Sequence, residues 1–154
     1  MSPIDTRLQE LGITLPTPMA PVANYVPYVA TGSLVVVSGQ IPAVDGKVAM
    51  TGKVGAGLDI EQGQEAARLC FVNVLAQLRV ACGGDLGRVR RVVRLGGFIA
   101  CLPDFTQHAA VMNGASDLAV AVFGDAGRHA RSTIGVPSLP LDAAVEVEGM
   151  FEVG

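Results

Sequence analysis

The chain has 154 residues, half of them hydrophobic and 16% charged, with a net charge of −3. That length suits one domain able to bury about 70% of its unfolded surface. The weak acidic balance excludes the strongly basic footprint of a general nucleic-acid binder, and no run reaches the roughly 18 apolar residues of a membrane span.

A single subunit with so few charges would leave much apolar surface bare, so an oligomer is expected. Cys70, Cys82 and Cys101 are odd in number and form no CxxC pair. With no signal-peptide pattern ahead of them, the expectation is reduced thiols in a cytoplasmic protein.

Ser2 to Gly12 reads as a short amphipathic helix that Ser2 or Asp5 can cap, with Leu8, Leu11 and Ile13 on one side. Pro16 to Pro21 holds three prolines and is expected to be an extended connector. Residues 1–20 are therefore set apart from a main domain over 21–154. Tyr28 to Ala30 and Leu34 to Ser38 predict a hairpin turning at Thr31-Gly32-Ser33. Val35-Val36-Val37 suits a strand covered on both faces. Gly39 to Gly57 is rich in loop residues, with a tight turn at Asp45-Gly46.

Asp59 begins the longest predicted helix, whose apolar stripe includes Cys70, Phe71, Val74, Leu75 and Leu78; Gly83-Gly84 ends it. Val89 to Cys101 follows as a strand weakened at Gly96-Gly97. Pro103-Asp104 is expected to open a second helix that runs to Gly124, with His108 on its apolar side. Ser132 to Val136 and Ala143 to Val153 are the last two strands. The order predicts an α+β layer: a mixed sheet with two helices on one face and, in a monomer, a bare opposite face.

Reading the last two strands as a hairpin centred on Ser138-Leu139 sets Arg131 opposite Glu146, where cross-strand partners share a face. A surface ion pair would be the plainest role for them, worth about 0–1 kcal/mol. The other candidates are weaker. His108 suits a packed, hydrogen-bonded histidine, and His129 lies close enough to Arg131 to border a pocket. Two histidines without further ligands predict no metal site. Arg88, Arg90, Arg91 and Arg94 form the one basic cluster, but no aromatic side chains interleave with them as an RNA platform requires. The glycines at 52, 55 and 57 lack the Lys-Ser/Thr of a P-loop.

Ala130-Arg131-Ser132, Leu139-Pro140 and Val145-Glu146-Val147-Glu148 together resemble the C-terminal signature of the RidA/YjgF family. Val37-Ser38-Gly39-Gln40-Ile41-Pro42 resembles its other strong motif, and Leu102-Pro103-Asp104-Phe105 also matches. The resemblance runs from about Tyr25 to Val153. It implies a chorismate-mutase-like α+β fold and a homotrimer with active sites between subunits. The implied activity is cofactor-free hydrolysis of enamines and imines such as 2-aminoacrylate to 2-oxo acids and ammonia.

Carried over residue by residue, Arg131 matches the arginine that binds the substrate carboxylate and Glu146 the glutamate that holds the hydrolytic water. Tyr25, Ser38 and Asn113 match pocket residues. The implied partners are a small carboxylate-bearing substrate and copies of the chain itself, with neither nucleic acid nor membrane. Departures from the pattern are Ala23-Asn24 in place of Gly-Pro, Thr133 where cysteine is common, the N-terminal extension, and a longer segment over Gly124 to Arg128. Two alternatives go with the resemblance: a non-catalytic binder of small carboxylates such as 2-oxo acids, and an RNA-cleaving or translation-inhibiting protein.

Overall fold

A computed structural model describes residues 1–18 and 23–154. The boundary expected at residue 20 and the end of the proline-rich connector lie outside the described residues.

Helix α1 (Pro3–Glu10) starts at a capping box in which the Ser2 hydroxyl accepts from the Asp5 N–H and the Asp5 carboxylate accepts from the Ser2 N–H. It lies against the main body: Leu8, Ile13 and Leu15 are buried in the common core, and Arg7 donates to the Ala121 carbonyl at 3.2 Å.

Strands β1 (Tyr28–Thr31) and β2 (Leu34–Gln40) form the expected hairpin, turning at Gly32-Ser33 with Gly32 at φ +57°. Two short strands, β3 (Ala43–Val44) and β4 (Lys47–Val48), flank the Asp45-Gly46 turn, where both φ angles are positive. Helix α2 (Ile60–Ala81) is capped by Asp59 and Gln62 and ends at Gly83-Gly84. Strand β5 (Val89–Ala100) passes unbroken through Gly96-Gly97, and its register shifts fall earlier, around Arg91 and Arg94. Gly97 has a packing role, since a Cβ there would lie 2.5 Å from the Met112 sulfur.

Helix α3 (His108–Phe123) begins later than the Pro103-Asp104 signal suggested. Residues 102–105 form a turn in which the Phe105 N–H donates to the Leu102 carbonyl, and the Phe105 ring packs over Gly55. Proline and aspartate there serve that turn instead of a helix start.

The last two strands, β6 (Ala130–Val136) and β7 (Val145–Val153), correct the predicted hairpin. The main sheet has the order β1-β2-β7-β5-β6, so β5 lies between them. Strand β6 is an edge strand parallel to β5, joined to it through α3 as a parallel pair requires. Residues 137–144 carry the chain across the end of β5, with Leu141 and Asp142 at positive φ and the Ala144 carbonyl accepting from Ala100 N–H. Placing β5 in the middle pairs both its edges and buries Leu95 and Ile99, which a terminal hairpin would have left at the rim.

The core lies between one sheet face and helices α2 and α3, where Phe71, Leu75, Leu78, Met112, Val35, Leu95, Ile99, Val147 and Phe151 are fully buried. Truncating one of the phenylalanines there would cost about 3–5 kcal/mol. The opposite face is uncovered among the described residues, and Val36, expected to be covered on both sides, is only half-buried beside Met150. Among the described residues no helix is long and apolar enough to cross a membrane.

Candidate functional site

Arg131 pairs with Leu95 in the β5–β6 register, so its side chain rises on the helix face toward α3. Three acceptors on that helix fasten it. Nη1 donates to Asn113 Oδ1 at 2.8 Å and to Ser116 Oγ at 3.1 Å, and Nη2 donates to the Ala109 carbonyl at 3.3 Å. Ala109, Asn113 and Ser116 are spaced four and three residues apart, which puts them on one face of α3. All three acceptors are neutral. Among the described residues no carboxylate forms an ion pair with Arg131. A guanidinium has five N–H donors; among the described residues three are engaged and two remain, on Nε and Nη2.

Ser116 was not foreseen, although its helical spacing from Asn113 was a usable signal. It leads on to His129. His129 Nδ1 lies 2.6 Å from the Gly127 carbonyl, and Nε2 lies 2.9 Å from Ser116 Oγ. A carbonyl only accepts, so Nδ1 carries the proton. Neutral Nε2 then accepts from the Ser116 hydroxyl, whose oxygen accepts from Arg131. His129 therefore orients the group that orients the arginine.

Glu146 lies elsewhere. It pairs with Phe98 in the β5–β7 register, on the open face of the sheet. Two strand spacings and three residues of register put its Cα about 14 Å from that of Arg131, with the sheet between the two side chains. The expected contact is thus absent within one chain, because β5 separates the strands and the register turns the side chains to opposite faces.

Glu146 has Ser38 and Gly39 beside it. A register shift between Val37 and Gln40 bulges β2 there, and a Cβ on Gly39 would lie 2.6 Å from Glu146 Oε2. Ser38 clips the preceding segment to this bulge: its hydroxyl donates to the Val26 carbonyl at 2.8 Å and its N–H to the Pro27 carbonyl at 2.9 Å. Tyr25, next to Val26, is half exposed. Burial, and then the negative charge of Glu148, push the Glu146 carboxyl above the usual glutamate value. Glu148 itself is paired with Arg94 at 3.2 Å. Among the described residues Glu146 is in no ion pair.

The candidate residues thus form two sets. Arg131 and Asn113 stand on the helix face at one sheet edge, and Ser38 and Glu146, with Tyr25 nearby, stand on the open side of β2 and β7. Thr133, between Arg131 and Gly135 on β6, has a buried hydroxyl with no hydrogen-bond partner among the described residues. No group of three or more potential metal ligands occurs among the described residues. The arginine cluster is largely engaged. Arg88 donates to the Gly154 and Cys82 carbonyls, Arg91 to the Arg128 carbonyl, and Arg94 to Glu148.

Known proteins resemble this chain in sequence and in architecture. The family model described as "YjgF/chorismate_mutase-like, putative endoribonuclease" matches residues 5–152. Protein TCP17 of Trypanosoma cruzi is 49% identical over 151 residues, covering 97% of this chain and 94% of that protein. The crystal structure of a Shewanella oneidensis protein, described as a putative endoribonuclease, superposes with a TM-score of 0.95 at 36% identity, covering 99% of this chain and 100% of that one. Escherichia coli TdcF with bound serine gives a TM-score of 0.64 at 28% identity, covering 90% and 94%. With its mixed sheet, its helices on one face and a family match over nearly its whole length, the chain belongs to the YjgF/chorismate mutase-like family.

Proposed function

We propose that the protein is a cytoplasmic, cofactor-independent deaminase that hydrolyses enamine and imine intermediates of the 2-aminoacrylate type to 2-oxo acids and ammonia. The observation that carries this reading is Arg131: a cation fastened by neutral acceptors which, among the described residues, has no carboxylate paired to it and two N–H donors left for a ligand. Such a fork suits a small carboxylate, and each charge-assisted hydrogen bond contributes about 1.5–3 kcal/mol.

An imine is electrophilic once protonated, so the protein need only anchor it, place a water and carry a proton. Glu146 suits the last two tasks. It has no ion-pair partner among the described residues, and its raised pKa makes it a readier proton carrier than an exposed glutamate. Since the sheet separates Glu146 from Arg131 in one chain, the reading requires Arg131 and Asn113 of one copy to meet Tyr25, Ser38 and Glu146 of another. A homotrimer with sites between subunits meets that need, and it would also cover the bare sheet face.

The test is release of 2-oxo acid from enzymatically generated imines, with Arg131→Ala as control. Acceleration by the wild type and its loss in the variant are expected; equal rates with and without wild-type protein would overturn the reading.

A second reading, binding of small carboxylates without turnover, is favoured by the serine bound in TdcF. It predicts thermal shifts with 2-oxo acids that are insensitive to Glu146→Gln and accompanied by no hydrolysis. The endoribonuclease reading in the family description has less to support it here, since Arg88, Arg91 and Arg94 are held by intramolecular acceptors.

A further inference from the structure

Beyond Arg131 along the same strand, β6 borders a cavity of about 530 Å³ between the end of β5 and the start of α3. Its walls are mainly apolar: Leu102, Pro103, Phe105, Val136 and Pro137. Two of its lining side chains carry reactive groups, the Cys101 thiol and the His108 imidazole, with Sγ 3.6 Å from Nε2. An apolar cavity of a few hundred Å³ with a few convergent polar groups is the usual form of a small-molecule site.

The pair is held by its surroundings. Gly135 lies beneath it, where a Cβ would stand 2.5 Å from His108 Nε2 and 2.7 Å from Cys101 Sγ. The Phe105 ring meets the imidazole edge-on at 5.4 Å. The other two thiols differ. Cys70 is fully buried and donates to the Val145 carbonyl, Cys82 is buried at the end of α2, and neither lines this cavity.

We propose that Cys101 and His108 form a covalent capture site for small apolar electrophiles of the α,β-unsaturated carbonyl class. In the step, the thiol gives its proton to Nε2 of neutral His108 while sulfur bonds to the β-carbon of the electrophile. The C=C π pair moves to the α-carbon, which takes the proton back from the imidazolium. One S–H bond and one C=C π bond are replaced by one C–S and one C–H bond, with no leaving group and no oxidant. Burial raises the Cys101 pKa, so the thiol stays protonated until the imidazole acts, which restricts reaction to molecules that enter the cavity. This site does not rest on the deaminase reading, and Arg131 takes no part in it.

N-ethylmaleimide is the probe, added to the folded full-length protein and followed by intact mass and peptide mapping. A single adduct at Cys101 is expected, with Cys70 and Cys82 unmodified until denaturation. Cys101→Ser should abolish it, and His108→Gln should slow it on the order of 100-fold, the usual contribution of a positioned base. Should His108→Gln melt early, Leu102→Trp on the exposed rim of the cavity serves instead. It should slow N-ethylmaleimide more than the smaller iodoacetamide. No folded-state adduct at Cys101, or rates unchanged by the folded His108 variant or by Leu102→Trp, would overturn the proposal.

Discussion

The two halves of the candidate site are built in opposite ways. Arg131 is tied by three hydrogen bonds to one helix, and one of its acceptors is itself oriented by His129. Glu146 stands beside a glycine bulge, in no ion pair among the described residues, and tilted toward its protonated form. The first arrangement suits an anchor whose geometry must not vary. The second suits a group that must gain and lose a proton or hold a water. The contrast implies that damage to the arginine half weakens binding, whereas damage to the glutamate half stops turnover and leaves binding intact.

The largest effect is expected from Arg131→Ala. Loss of two charge-assisted hydrogen bonds should lower kcat/KM for imine hydrolysis by roughly 100-fold or more, with circular dichroism unchanged. Arg131→Lys keeps the charge but not the fork and should recover only part of that loss. Glu146→Gln comes next: turnover should fall by about 100-fold, while calorimetry still detects 2-oxo acid binding. Binding and turnover falling together would erase the distinction between the halves.

Ser116→Ala should raise KM by about 5-fold, the equivalent of roughly 1 kcal/mol, with kcat little changed. Ser116→Thr, which keeps the hydroxyl, should restore KM; an Ala variant with normal KM would remove Ser116 from the anchor.

The smallest effect is on stability. Because the Glu146 carboxyl is raised above its ordinary value near 4.5, the folded state holds a proton that the unfolded chain has already lost. Stability therefore falls as pH rises through the window from 4.5 to the raised value, and the deficit persists above it. Glu146→Gln should melt higher than wild type at neutral pH, with the gap closing as pH drops toward 4.5. A gap independent of pH would contradict this.

Much of the architecture was legible because local signals and tertiary structure agree. Asp59 and Gln62 cap α2 as a helix start should, Asp45-Gly46 turns where it must, and alternation in Val145 to Val153 marks the buried face of β7. The failures came where partner choice is non-local. Nothing in Ser132 to Val136 says that β5 will intervene, since a plausible turn and a parallel crossover leave the same alternation in the strand. The candidate site residues were suggested by family resemblance, but their grouping was not, because a sheet register decides which face each one takes. The spacing of Ser116 from Asn113 and of His129 from Arg131 hinted at a link, but the hydrogen bonds that join them to Arg131 require α3 to lie beside β6.

The central claim is that Arg131 of one copy works with Glu146 of another. Subunit complementation tests it most directly: Arg131→Ala and Glu146→Gln proteins, each inactive alone, are unfolded together at equal amounts and refolded into mixed assemblies. If each site draws the two residues from different copies, random mixing should restore about a quarter of wild-type imine hydrolysis. Mixed assemblies that form, as native mass spectrometry would show, yet stay inactive would contradict the account.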